Sequence, residues 1–185
     1  MKDRLEMTMN IGGYSAEECA SMAFVTLKER ENMEVSLPLK KDVAHAVDIF
    51  HALTDKIGDP KQALSRLMVL EEAFVNMLLH GNKGNPELLS MARMVIEIHR
   101  DDTHRRVSYI VSLDDHAPTF DLSTVPDPTD EENLEKPNGR GLVYIQDLGG
   151  ATIQQIPHPG GKTMVYAWKE EFSTLPEQAT EQDEI

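Results

Sequence analysis

Hydrophobic positions along the chain keep two different rhythms, one suited to strands and one to helices. "MEVSLPL" sets Val35, Leu37 and Leu39 against Glu34, Ser36 and Pro38, a strand period, and Pro38 marks a sheet edge or the end of the strand. "KKDVAHAVDIFHALTDKIGDP" changes to helical spacing through Val43, Val47, Phe50, Leu53 and Ile57 until Gly58 and Pro60 stop it. A second helix follows from about Lys61 to His80 and ends in the turn "HGNKGNP". "MARMVIEIHR", with Ala92, Met94, Ile96 and Ile98 in alternation, and "RRVSYIVSLDD" predict two strands joined at "DDT". Near the C-terminus "GRGLVYIQDLGG" predicts a short helix, and "ATIQQIP", "HPGG" and "KTMVYAWK" predict a closing hairpin.

The remaining segments carry weaker patterns. Residues 1–14 show no clear period, but Ser15 followed three residues later by Glu18 is the pattern of a capping box and starts a short helix. Ala20, Met22, Ala23, Val25 and Leu27 give that helix apolar positions to set against its own domain or a second subunit. Cys19 lies within it with no basic neighbour to activate the thiol, and reads as structural. Residues 116–138 are rich in proline and acid and read as a long loop, of the kind that is either a functional lid or disordered. Beyond Glu170 the chain is too polar to bury a core of its own.

Composition narrows the classes. With 185 residues, 40% hydrophobic and 27% charged, the chain is one domain with appendages. Its apolar runs fall short of the roughly 20 residues that span a membrane. No basic region followed by an apolar one opens the chain, and a single Cys excludes an intramolecular disulfide; both point to the cytoplasm. A formal net charge of −14, without a Lys/Arg cluster, argues against a nucleic-acid partner and suits a basic protein partner or simple solubility.

Three constellations bear on chemistry. The stretch "VLEEAFVNMLLHGN" is apolar almost all round, yet Glu72, Asn76 and His80 recur every fourth residue and share an arc of roughly 80°. With Leu64, Leu67, Phe74, Val75, Met77 and Leu78 on the other sides, this helix is expected to lie between layers. The polar stripe is then either an exposed edge with His80 as a cap, or a site in which the Asn76 oxygen joins the shell of Mg²⁺ and Glu72 accepts a proton from an attacking hydroxyl. The second constellation, "NGRGL", places two glycines where the backbone can approach an anion at a helix start; a plain turn or a helix C-cap is the alternative. Neither P-loop nor Rossmann spacing surrounds it. The third, "LDDHAPTFD", ends a strand in Asp114 and Asp115, where a carboxylate can accept from an exocyclic amine such as that of adenine, or simply cap a turn.

The order "EEAFVNMLLHGN", "DDHAPTFD", a lid, "GRGLVYI" and "GGKTMVYAWK" resembles the GHKL (histidine-kinase-like) ATPase superfamily, and within it most closely the bacterial anti-sigma-factor serine/threonine kinases. The resemblance covers roughly residues 33–169, leaving 1–32 as an N-terminal extension with a short helix and 170–185 as an acidic, flexible tail. It implies a Bergerat-type ATP-binding fold: an α/β (α+β) two-layer sandwich with a mixed, mostly antiparallel sheet and helices on one face, an architecture that strands paired in hairpins and grouped helices also favour. It further implies Glu72 as general base, Asn76 as Mg²⁺ ligand, and His80 and Asn82 as the rest of the same motif. Asp115 then matches the adenine-binding aspartate, with Ala117 and Phe120 beside it. Gly139, Arg140, Gly141 and Leu142 match the box that lines the phosphates, and Thr163 matches a threonine near the adenine aspartate. ATP and Mg²⁺ are the implied cofactors, and a protein Ser or Thr the acceptor. The implied partners are an anti-sigma-factor-antagonist-like protein, a sigma factor and a second copy in a homodimer. The chain departs from the family pattern at Ala117, where glycine is usual, and at Thr119, where Gly or Ser is. The added methyl at Ala117 is expected to narrow the pocket or restrict φ. That departure favours an alternative, a protein-interaction module that uses the pocket without turnover.

Overall fold

A computed structural model describes residues 5–8, 14–28, 32–38, 43–83, 85, 91–100, 104–125 and 141–173. Six strands form one sheet in the order β1-β2-β3-β4-β6-β5. They are β1 (Leu5–Thr8), β2 (Asn32–Pro38), β3 (Met91–Arg100), β4 (His104–Asp115), β5 (Thr152–His158) and β6 (Gly161–Ser173). Only β1 and β2 run parallel; the other neighbours are antiparallel. The helices are α1 (Ala16–Lys28), α2 (Val43–Ile57), α3 (Ala63–Asn76) and the short α4 (Gly141–Val143). This is the expected α+β two-layer arrangement.

Strand alternation decides which face is covered. Val35, Met94, Val111 and Tyr166 lie side by side across β2, β3, β4 and β6, and all are buried. The same cluster takes in Cys19, Ala20 and Ala23 of α1, Ile49, Phe50 and Leu53 of α2, and Leu70, Ala73 and Phe74 of α3. Phe50 and Phe74 meet edge to face, with centroids 6.1 Å apart, and join α2 to α3. On the other face of the sheet Glu97, His99 and Lys169 are exposed. Among the described residues no helix is long and apolar enough to cross a membrane.

The capping box forms as expected: the Ser15 N–H donates to Glu18 Oε2 at 2.8 Å, and the Glu18 N–H donates to Ser15 Oγ at 3.2 Å. Cys19 is fully buried, and burial, followed by the Glu18 charge, pushes its thiol pKa up, which suits an inert core residue. Pro38 pairs with Met91 beyond Thr8↔Ser36, the last pair that β1 makes, so it closes the strand where no bond to β1 is needed.

Three elements differ from expectation. β1 is a strand of four residues, too short to show a period, and exists by adding to the edge of β2. α3 is not enclosed all round: Leu64 and Val75 are 69% and 46% exposed on it, and Leu79, in the turn that follows it, is 55% exposed. β6 continues through Glu170 to Ser173, paired with β4 as far as His104, past the point at which a tail was expected.

That continuation has an ionic cause inside the core. Arg66, 1% exposed, points its Nη1 at both oxygens of the buried Glu170 at 3.0 Å, at the Asp59 carbonyl at 2.7 Å, and its Nη2 at Asp55 at 2.8 Å. The Asp59 N–H also donates to Glu170 Oε2 at 2.9 Å. Two charges removed from water are tolerable only when each is neutralised and hydrogen-bonded in this way. Arg66→Met or Glu170→Met alone is expected to destabilise the protein by about 3–5 kcal/mol, and the double variant by less than the sum. Urea unfolding checks this, and single variants within about 1 kcal/mol of wild type would refute it.

Candidate functional site

A cavity of about 400 Å³ opens where the end of α3, the end of β4, the start of α4 and the start of β6 converge. Its wall includes Asn76 and His80, its loop side Asp115, Ala117 and Phe120, and its opposite rim Gly141 and Leu142; Lys162, Met164 and Tyr166 complete it from β6. Seven of the residues expected at a site, far apart in sequence, thus share one hollow. Glu72 is not in the lining but stands at its edge: a Cβ on Gly141 would collide with Glu72 Oε2 and come within 3.2 Å of the Asn76 amide. The polar stripe of α3 therefore faces α4 and the cavity.

Two local features bring these groups close. Both helical segments at the rim end in wide π turns, Met77–Gly81 and Tyr144–Leu148, closed by Asn82 N–H to Met77 O at 2.9 Å and Gly149 N–H to Tyr144 O at 3.0 Å. Such turns insert a residue and re-aim side chains, and they recur at functional sites. Gly81, at the end of the first, lets the helix approach Asp115; a Cβ there would sit 2.6 Å from Asp115 Oδ2. The next residue, Asn82, is buried, and its Oδ1 accepts from the His116 N–H at 3.3 Å, tying the helix end to the loop after β4.

That loop is held along its length. The Ala117 N–H donates to Asp115 Oδ1 at 2.9 Å. The side chain of Gln155 on β5 grips the Phe120 backbone from both ends, accepting from its N–H at 3.0 Å and donating to its carbonyl at 2.7 Å. Asp121 then caps the turn Leu122–Thr124 by accepting from Ser123, whose hydrogen bonds lower the pKa of the Asp121 carboxyl. Among the described residues Lys83 is the one non-glycine at positive φ, so Ala117 has an ordinary backbone and the expected restriction on φ does not arise. Ala117 does line the cavity.

β6 supplies a residue that sequence reasoning missed. The register sets Asp115 opposite Lys162, and the Lys162 ammonium donates to Asp115 Oδ1 at 2.8 Å with both side chains 3% exposed or less. Thr163, expected near the adenine aspartate, pairs with the preceding residue, Asp114. One residue further along a strand points to the other face, where Thr163 Oγ1 donates to Asp114 at 2.7 Å. Tyr166 faces the cavity side; burial, followed by the Asp115 charge, raises its pKa, and its buried hydroxyl has no hydrogen-bond partner among the described residues. Gly139 and Arg140 lie outside the described residues, as do 126–138, expected as part of a lid, and 174–185, expected as a tail.

A family model described as a histidine kinase-like ATPase domain matches residues 38–167. The chain belongs to the histidine kinase-like ATPase family. Comparison with curated proteins gave no match. The matched span contains α2 to β5, most of β6 and every residue expected at the site. Membership in an ATPase family implies ATP as ligand, usually with Mg²⁺.

The donors in this ATPase domain suit that metal. The buried amide nitrogen of Asn76 has no hydrogen-bond partner among the described residues, and the oxygen of the same amide is the atom a metal would take. No cluster of three or more His, Cys, Asp or Glu side chains occurs among the described residues. Mg²⁺ takes one or two protein oxygens together with phosphate oxygens and water, so a single amide beside Glu72 is a fitting donor set. The close approach at Asp115 gives a structural test. Gly81→Ala is expected to destabilise by about 1–3 kcal/mol through overpacking. Gly160→Ala, whose Cβ would meet only His158 at 3.6 Å, should change stability by less than about 0.5 kcal/mol, as denaturant unfolding will show.

Proposed function

We propose that this domain is an ATP- and Mg²⁺-dependent protein serine/threonine kinase of the anti-sigma-factor, partner-switching kind, acting in the cytoplasm on a small antagonist-like protein. The observation that carries the reading is the placement of Glu72 and Asn76, one turn apart, against Gly141 at the rim of a cavity whose far end is Asp115. The base of ATP lies toward Asp115 and its phosphates toward Gly141 and Leu142. Glu72 accepts the proton of a substrate Ser or Thr hydroxyl as its oxygen bonds the γ-phosphorus and the bond to the ADP oxygen breaks. Mg²⁺, held by Asn76, would neutralise charge on the phosphate oxygens. Most of the rate then comes from positioning and charge stabilisation, the usual case in phosphoryl transfer.

Glu72→Gln keeps the shape of the side chain and loses the base. It should lower phosphate transfer to a candidate antagonist by about 10²–10⁴-fold while leaving ADP affinity nearly unchanged. Equal transfer rates with Mg-ATP would rule out Glu72 as the base.

The second reading, an interaction module without turnover, is favoured by two hydrogen bonds: the Asp115 carboxylate already accepts from Lys162 and from the Ala117 N–H. Calorimetry with ADP and ATP separates the two, since a module that has lost the pocket gives no heat with either. A homodimer built through α1 is part of the first reading and draws support from Val25, 63% exposed on that helix. Val25→Glu should then shift sedimentation from dimer to monomer; a dimer that persists rejects α1 as the interface.

A further inference from the structure

The far end of the cavity is an ion pair rather than a lone carboxylate. Asp115 Oδ1 accepts from Lys162 at 2.8 Å and from the Ala117 N–H at 2.9 Å, while Oδ2 lies against Gly81. Of the three N–H groups of the ammonium, one serves Asp115, and the Ala117 carbonyl is reached only at a long 3.4 Å. Lys162 itself lines the cavity, and its Nζ stands 5.6 Å from the centre of the Phe120 ring at the mouth. The pair is fixed by the sheet, because Asp115 and Lys162 are cross-strand partners on the inward face.

A carboxylate alone at this place accepts from a 6-amino group and repels a 6-oxo group, which selects adenine. A neighbouring ammonium changes what can be satisfied. Adenine donates its 6-amino hydrogen to Asp115 and accepts from Lys162 at N1. A 6-oxopurine accepts from Lys162 at O6 and donates its N1 hydrogen to Asp115. The paired charges leave neither base facing an uncompensated ion, so the usual penalty for the wrong hydrogen-bond pattern, a buried group left unpaired, applies to neither.

We infer that Lys162 is a specificity-determining residue that opens this site to 6-oxopurine nucleotides, with guanine or hypoxanthine as base, as well as to adenine nucleotides. This rests on the proposed nucleotide-binding role of the cavity.

The test is calorimetric titration of the full chain with ADP, GDP and IDP, for wild type, Lys162→Thr, Lys162→Met and Lys162→Arg. IDP differs from an adenine nucleotide at the 6-position without the 2-amino group of guanine, which isolates the contact in question. Wild type should bind ADP and IDP within about tenfold of each other, Lys162→Thr and Lys162→Met should widen that ratio by about 10²-fold or more in favour of ADP, and Lys162→Arg should stay near wild type. A wild-type preference for ADP beyond about 10³-fold, or a ratio unmoved in Lys162→Thr, overturns the inference and leaves the kinase reading standing. The wild-type ratio decides the matter even if the neutral variants fail to fold. If wild type binds none of the three nucleotides, the proposed function falls and this inference falls with it.

Discussion

The register of β4 against β6 fixes both ends of this molecule. At one end Val107 pairs with Glu170, which turns Glu170 inward to meet Arg66; at the other Asp115 pairs with Lys162, which places an ion pair at the bottom of the cavity. A slip of β6 by one residue would turn Thr163 inward and carry Lys162 and Glu170 to the open face, leaving Asp115 and Arg66 without these partners, because strand side chains alternate with a period of two. Removing either partner of such a pair leaves a buried charge without compensation, so each ion pair penalises every register but one. Between them Tyr109 stacks on Trp168 with centroids 4.9 Å apart, an aromatic cross-strand contact that favours the same alignment.

How much of this is legible in the sequence depends on the range of the forces involved. The capping box at Ser15, the alternation in β3 and the apolar spacing of α2 are local patterns, and the structure follows them. β1 has no local signal, since its edge position is a tertiary contact. The apolar circumference of α3 predicts enclosure, but helical period gives only the faces of a helix and not the number of layers around it, and Leu64, Val75 and Leu79 stay exposed. Arg66 falls on the buried side of the period with Val69, Leu70, Ala73 and Phe74, a charged residue at a core position, and that mismatch was a readable sign of a buried partner.

The site divides along the same line. Asn76, His80, Asp115, Ala117, Phe120, Gly141 and Leu142 come together as motif order implies, with Glu72 beside them. Lys162 and Gln155 were missed, and the bond of Thr163 to Asp114 was not foreseen, because each depends on register across a pair of strands. Parity relative to Asp115 would have distinguished Lys162 from Thr163, but a single sequence does not give the pairing that sets it. Ala117 shows the opposite case: the departure from glycine is visible in the sequence, while its harmless backbone is visible only in the fold.

Charge explains why the local pairs matter more than the total. A chain with a formal net charge of −14 repels a polyphosphate at a distance, yet at physiological ionic strength that repulsion is screened beyond about 8 Å. What a nucleotide meets inside the cavity is set by the few groups within it, where low polarity strengthens each of them. Lys162 is buried in that lining and balances Asp115, so the deep end carries no net charge of its own. Glu72, at the rim, has Gly141 beside it, and its Oε2 is the atom a larger residue there would strike. Under the proposed function a balanced deep end suits recognition by matched hydrogen bonds, and a carboxylate at the rim suits proton acceptance from a hydroxyl arriving from solvent.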